Sequence, residues 1–149
     1  MIALRNYLLA LLVLLVAMQS FKGIPTTVPK AVLSGVDPAF VPYVQTFYNE
    51  AGKYNPAIKA YRVPISFVPS FPADQVGVCY HLGIINWIEI SRNYWNNASP
   101  IERELVIIHE LGHCVLNKRD EYPGIMSPYL LRPIKYIKNR DKLLKELFK

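Results

Sequence analysis

The pentapeptide His109-Glu110-Leu111-Gly112-His113 constrains the fold of this chain more than any other stretch. On a helix, residues four positions apart lie on one face, about 6 Å apart along the axis at roughly 1.5 Å per residue. Both imidazoles can therefore bind one metal ion. Zinc accepts neutral imidazole nitrogens at about 2.0–2.1 Å and, in catalytic sites, takes three protein ligands and leaves one position for water. The motif thus predicts a helical zinc site with His109 and His113 as ligands.

The residues around the motif favour a helix. Ser99 and Glu102 form a capping-box pattern with Pro100 at the first helical position, so the helix is expected to begin near Pro100. Apolar residues recur at helical spacing beside the histidines and would anchor this helix in the core. Asn117 follows the last apolar pair, and asparagine tolerates the left-handed conformation that ends many helices. A turn at Asn117 would bring Asp120 back towards the metal.

These residues resemble the metzincin-like zinc metallopeptidases, in which a third ligand follows the helical histidines after a glycine-governed turn. The family's glycine and ligand positions fall on Leu116 and Arg119 here, so the chain departs from the pattern. With one added residue they fall on Asn117 and Asp120. Ile125-Met126-Ser127-Pro128 is similar to the Met-turn that lies beneath the metal in that family. The similarity extends to small bacterial metallopeptidase-like proteins, and it is loose outside the helix and this turn.

The resemblance implies a role for each residue of the site. His109, His113 and Asp120 would hold zinc (Zn2+). Glu110 would be the general base that accepts a proton from the attacking water, and Met126 would lie beneath the metal in the Met-turn.

The identity of the third ligand is open in the sequence. Asp120 is favoured because it follows the expected turn. The neighbouring Glu121 and the distant His81, the only other histidine, are alternatives. A further alternative comes from the other large zincin class, the gluzincins, in which a glutamate on a later helix is the ligand. In this chain that residue would be Glu146.

Hydrophobic periodicity, together with the resemblance, predicts a small α+β domain. A first helix is expected to begin at Asp37-Pro38 and to run to Gly52, strands are expected at 63–67, 76–80 and 84–90, and a closing basic helix over 136–148. The resemblance implies a zincin-like arrangement: a short mixed sheet with an N-terminal helix, an active-site helix and a C-terminal helix. In it, the strand at 84–90 suits the sheet edge beside the metal cleft, where an extended peptide can bind as an added strand.

Residues 1–20 have the pattern of a signal peptide. Arg5 precedes an apolar run, 7–18, that is short for a bilayer span of about 17–25 residues. If the segment stays uncleaved, it would anchor the protein in a membrane. Residues 21–36 are expected to form an extended tether and 37–149 the metallopeptidase-like domain. The protein is therefore expected to be exported, either periplasmic or secreted, with membrane anchoring as the alternative.

The net charge of +6 comes largely from the last part of the chain. Such a basic surface suits anionic membrane or cell-wall partners, although a solubilising face is the simpler interpretation. The sequence has no aromatic-interleaved basic motif and no groove-reading element, so no nucleic-acid partner is expected. The oligomeric state stays open.

Cys79 and Cys114 are the only cysteines. In an oxidising compartment they can form a disulfide between a strand and the active-site helix, which would stabilise the fold by roughly 2–4 kcal/mol. Two buried thiols are the alternative. Cys114 is a poor candidate for the zinc that His113 would bind, because the next helical position points about 100° away.

The function implied by the resemblance is that of an exported zinc metallopeptidase acting on peptide or protein substrates. Tyr122 and Tyr129 are candidates to stabilise an oxyanion. A gluzincin-type hydrolase and a non-catalytic, zinc-stabilised binding module are the alternatives. Glu110 bears on this choice, because a binding module has no need of a general base.

Overall fold

The computed structural model describes residues 27–121 and 123–149. Within these residues the chain forms four helices and a three-stranded mixed sheet, so the predicted small α+β fold with N-terminal, middle and C-terminal helices is confirmed. The helices are α1 (Val41–Tyr54), α2 (Arg92–Asn97), α3 (Pro100–Leu116) and α4 (Pro133–Leu147). The strands are β1 (Ile65–Val68), β2 (Gly77–Leu82) and β3 (Ile85–Ser91).

Strand β3 lies in the centre of the sheet. The strand order is β1-β3-β2, with β1 parallel and β2 antiparallel to β3. The β2–β3 hairpin turns at Gly83, where φ is +60°, a conformation that glycine adopts without steric cost. The expectation that the strand at 84–90 forms the edge beside the site is therefore wrong. In the described sheet that edge is β2, which packs against α3.

Helix α3 passes through the core of the domain. All of its residues from Leu105 to Gly112 are buried, because α1, α4 and the sheet pack around it. The largest fully buried side chains come from each of these layers and include Phe40, Phe47, Ile88, Ile90, Tyr136 and Leu144. The histidine pair is therefore held by tertiary packing as well as by the helix that carries it.

Two predicted boundaries differ from the structure. The described part of the expected tether, 27–36, packs on the domain: Val28 is 7% exposed and Val36 forms an isolated bridge to β1. Its apolar side chains bury area that an extended tether would leave in water. Helix α1 begins after Phe40 and not at Asp37, because these residues form a turn in which Phe40 N donates to Asp37 O at 2.9 Å.

The expected signal peptide or anchor at 1–20 lies outside the described residues, as do residues 21–26 of the expected tether. The longest described helix, α3, has 17 residues. Over 27–121 and 123–149, no helix combines the length and the apolar character that crossing a membrane requires.

Candidate metal centre

Local interactions fix both ends of α3. At its start the Ser99 side chain accepts a hydrogen bond from the Glu102 amide at 3.3 Å, and the Glu102 carboxylate accepts one from the Ser99 amide at 2.7 Å. At its end Asn117 has φ +52° and ψ +32°, which is the left-handed region. Both predicted ends are confirmed, and the turn at Asn117 directs the following loop back towards the histidines.

Three potential ligand atoms from α3 and this loop converge. The Nε2 atoms of His109 and His113 are 3.0 Å apart, and Asp120 Oδ1 lies 3.5 Å from the first and 3.3 Å from the second. The three side chains are 9%, 21% and 51% exposed, respectively. The cluster is therefore embedded on the histidine side and open to solvent on the Asp120 side.

The hydrogen bonds of the two histidines determine which nitrogen is free. His109 Nδ1 lies 2.8 Å from Ile125 O, and His113 Nδ1 lies 2.7 Å from Lys118 O. A carbonyl oxygen only accepts, so each Nδ1 carries a proton and donates it. In its neutral form, each ring then presents a lone pair at Nε2. Burial lowers the pKa of His109, which favours its neutral form.

The spacing of the cluster fits a metal ion. Two imidazole lone pairs and a carboxylate oxygen repel one another unless a cation lies between them. Ligands about 2.0–2.1 Å from a tetrahedral zinc ion are about 3.3–3.4 Å from each other, and the distances here are 3.0, 3.3 and 3.5 Å. Two histidines with one carboxylate are also a ligand set that catalytic zinc uses, with a fourth position left open. The residues therefore fit zinc.

Glu110 lies beside this cluster and is almost completely buried. The residue is 5% exposed, and its carboxylate accepts a hydrogen bond from the Cys79 amide of β2. Burial raises the pKa of Glu110 to about 8; the charge of Asp120 adds to the rise, and the hydrogen bond opposes it. A Cβ on Gly77 would lie 2.9 Å from Glu110 Cγ, so the missing side chain leaves room for the glutamate. The edge strand thus positions the carboxylate.

The predicted Met-turn packs against the middle of the motif. A Cβ on Gly112 would overlap Met126 Sδ, and Met126 is 6% exposed, so glycine permits this close approach. The preceding Ile125 provides the carbonyl that holds His109. Sequence reasoning missed this carbonyl and the packing role of Gly112, because both depend on contacts between separate segments. The small residue inside the motif was the one available signal.

The other acidic candidates lie away from the histidine nitrogens. Glu121 is exposed, and its amide donates to Met126 O at 2.6 Å. Glu146 is exposed on α4, where it lines with Glu121 a groove of about 250 Å³ beside the Met-turn. Among the residues that the structure describes, the acidic group found within 4.8 Å of both histidines is Asp120.

Cys79 and Cys114 form a disulfide that joins β2 to α3, with Cα atoms 5.7 Å apart. The strand that orients Glu110 is thereby linked covalently to the helix that carries it. His81 lies in this second cluster, with Nε2 3.3 Å from Cys79 Sγ, and not with the histidine pair.

Tyr129 is 77% exposed. Tyr122, the other tyrosine considered for an oxyanion, lies outside the described residues.

Comparisons with protein-family models, with curated proteins and with solved structures gave no match to this chain.

Proposed function

We propose that this chain is an exported zinc-dependent hydrolase of peptide bonds, of the metzincin-like kind that its motifs resemble. One observation carries the proposal: two histidine Nε2 atoms and Asp120 Oδ1 converge at 3.0–3.5 Å, and the buried Glu110 lies beside them. Metal-assisted hydrolysis needs these two parts, an open ligand set and a carboxylate that can accept a proton.

When bound, zinc supplies Lewis acidity, which polarises the scissile carbonyl and lowers the pKa of water from 15.7 towards about 7. Glu110 moves the proton. Its carboxylate accepts a proton from the attacking water and gives it to the nitrogen of the leaving amine as the C–N bond breaks. Burial raises the pKa of Glu110, so its carboxylate takes up a proton more readily than an exposed glutamate does.

Asp120 sets the charge of the site. It adds a negative charge that a third histidine would not, so a bound metal would be held more tightly and would be a weaker Lewis acid. Its half-exposed side chain lies on the open side of the cluster, from which a peptide can approach.

The disulfide supports an exported location. Disulfides persist in oxidising compartments and are rare in the cytosol, where thiols are kept reduced. The Cys79–Cys114 bridge spans 35 positions in the sequence and connects two elements of the candidate site. An exported enzyme would meet peptide or protein substrates outside the cytosol.

The Glu110→Gln variant tests the proposed function. We expect it to stay folded and to bind zinc, while hydrolysis of a mixed peptide library falls at least about 100-fold, the usual range for loss of general acid–base catalysis. Glu121→Gln is the matched control, because Glu121 is exposed and outside the cluster, and it should keep full activity.

Two results would contradict this proposal. Undiminished hydrolysis by Glu110→Gln would remove this glutamate from the mechanism. Stoichiometric zinc in the parent protein without any chelator-sensitive hydrolysis would favour the non-catalytic binding module.

A further inference from the structure

A second cluster of metal-ligating side chains lies at the junction of β2 and α3. Ligand atoms of Cys79, His81 and Cys114 all lie within 4.8 Å of one another, and the two cysteines form the disulfide. We propose that reduction of this disulfide turns the cluster into a second metal site, with two thiolates and the His81 imidazole as ligands. Such a soft set suits zinc and related thiophilic ions.

The orientation of His81 supports a ligand role. Its Nδ1 lies 2.9 Å from Asn86 Oδ1, and Asn86 Nδ2 donates to Cys114 O at 3.0 Å. The second bond fixes which end of the amide is oxygen, so His81 Nδ1 must be the donor to Asn86. The lone pair at His81 Nε2 then faces Cys79 Sγ at 3.3 Å. Histidines that bind metals are commonly held in this way through the other ring nitrogen.

This site is separate from the histidine–aspartate cluster. Cys114 follows His113 on α3, so its side chain points about 100° away around the helix axis. It is 2% exposed and packs towards the sheet, whereas His81 is exposed on the edge strand. The second site would therefore lie between strand and helix and share no ligand with the first. The proposal does not depend on the proposed hydrolase activity.

Opening the Cys79–Cys114 disulfide needs a reductant, and a phosphine can supply the two electrons. The phosphine bonds one sulfur and releases the other as a thiolate; water then frees the first sulfur, and the phosphine leaves as its oxide with both cysteines as thiols. Binding of a divalent ion then displaces two thiol protons. The Cα atoms are 5.7 Å apart, and side-chain rotation must bring the sulfurs to about 3.8 Å, the separation of two thiolates about 2.3 Å from tetrahedral zinc.

Cobalt titration of a His109→Ala/His113→Ala variant tests this site alone, because the first cluster has then lost its imidazoles. After phosphine treatment we expect one equivalent of Co2+ to bind with the near-ultraviolet absorption of thiolate-to-cobalt charge transfer. The same variant with the disulfide intact should show no such band. Bound metal should also raise the thermal midpoint of the reduced protein, since a ligand that binds the folded state stabilises it.

Two variants distinguish a metal site that includes His81 from metal binding by the two free cysteines alone. On the same background, His81→Ala should lose cobalt affinity and the thermal shift, although both cysteines remain. Asn86→Ala should weaken binding by about 10- to 100-fold, the range for removing the partner that orients a metal-binding histidine. The proposal is overturned if the reduced protein shows no charge-transfer band, or if His81→Ala binds cobalt as tightly as its parent.

Discussion

Replacing Asp120 by asparagine keeps the size of the side chain and removes its charge. If Asp120 is the third ligand, zinc affinity should fall by more than about 100-fold, beyond the usual effect of an outer-shell partner. The measurement is competition with a chelator of known affinity. Glu146→Gln is the matched control, because Glu146 is the ligand in the gluzincin alternative and lies on α4, outside the cluster. If Glu146→Gln lost zinc and Asp120→Asn kept it, the third ligand would be Glu146 and not Asp120.

In the metal-free protein, the titration of Glu110 should make the free energy of unfolding depend on pH, and the direction of that dependence can be predicted. Its pKa in the folded state is about 8, above the ordinary 4.5, so between these values the folded protein binds more protons than the unfolded chain. The free energy of unfolding therefore falls as the pH rises through this window. Glu110→Gln lacks this titration, so its stability relative to the parent should rise by at least about 1 kcal/mol from pH 5 to 9, at about 1.4 kcal/mol per pKa unit.

Urea denaturation in the presence of chelator measures this difference. Added zinc should reduce the pH-dependent difference between the two proteins, because a nearby cation favours the ionised carboxylate. Parallel pH profiles for the two proteins in chelator would show that Glu110 is not a buried, proton-binding group.

Gly112→Ala tests the packing under the site. Its Cβ would overlap the buried Met126 Sδ, so the Met126 side chain must shift within the core, at a cost of about 1–3 kcal/mol in the free energy of unfolding, as for other overpacked cores. Zinc affinity should fall as well, because the Met-turn also carries the Ile125 carbonyl that holds His109. The control is Gly52→Ala on α1, where the new Cβ meets nothing within 4 Å. That variant should be more stable by about 0.5–1 kcal/mol; equal effects at both positions would contradict the packing role.

Among the elements, α3 was predictable because its signals are local. Ser99, Pro100 and Glu102 mark its start and Asn117 its end, and each acts on residues within one or two turns. Helix α2 was not predicted. Its signal was Ser91, whose side chain accepts a hydrogen bond from the Tyr94 amide at 3.2 Å, but Ser91 also ends a strand. A short helix that directly follows a strand has little periodicity of its own to detect.

The position of β3 was predicted wrongly for a different reason. Alternation of apolar and polar residues identifies a strand, but it does not say which neighbours the strand pairs with. β3 is central because the hairpin at Gly83 pairs it with β2 and the chain before it supplies β1 on its other side. The consequence is functional, since β2 provides the amide that binds Glu110.

The three long helices are joined by one network of ionic groups. Arg140 of α4 contacts Glu50 of α1 at 2.9 Å and Glu104 of α3 at 3.0 Å, and the Tyr136 hydroxyl donates to Glu104 at 2.7 Å. The two glutamate side chains are 16% and 17% exposed. Removing the guanidinium would take this cation from the largely buried Glu104 and would leave Glu50 paired with the exposed Lys53.

We therefore expect Arg140→Met to lower the free energy of unfolding by about 2–4 kcal/mol, somewhat below the range for a fully buried pair. Lys53→Met is the control: Lys53 also pairs with Glu50, at 3.6 Å, but its side chain is 56% exposed. That variant should change stability by less than about 0.5 kcal/mol. Urea denaturation measures the free energy of unfolding of both variants. A similarly small change for both would show that the network contributes little to stability.

Across the domain, the fold class followed from hydrophobic periodicity together with the family resemblance, and the pairing of the two histidines followed from their spacing. The packing of the remaining chain around them did not. Pro25 and Pro29 favour an extended tether over 21–36, yet Val28 is buried in the core. Whether such short apolar stretches pack depends on a surface that only the complete fold provides. The same holds for the carbonyls of Lys118 and Ile125.

Those two carbonyls and Asp120 follow Asn117 in one segment, so this segment both orients the imidazoles and carries the proposed third ligand. If the cluster holds a cation as proposed, its loss would leave the Asp120 carboxylate without a counter-charge and would weaken the order of this segment. The exposed segment would then be the first point at which proteases could cut the chain. If the site binds zinc as proposed, scarcity of zinc would in this way shorten the lifetime of the protein as well as stop its activity.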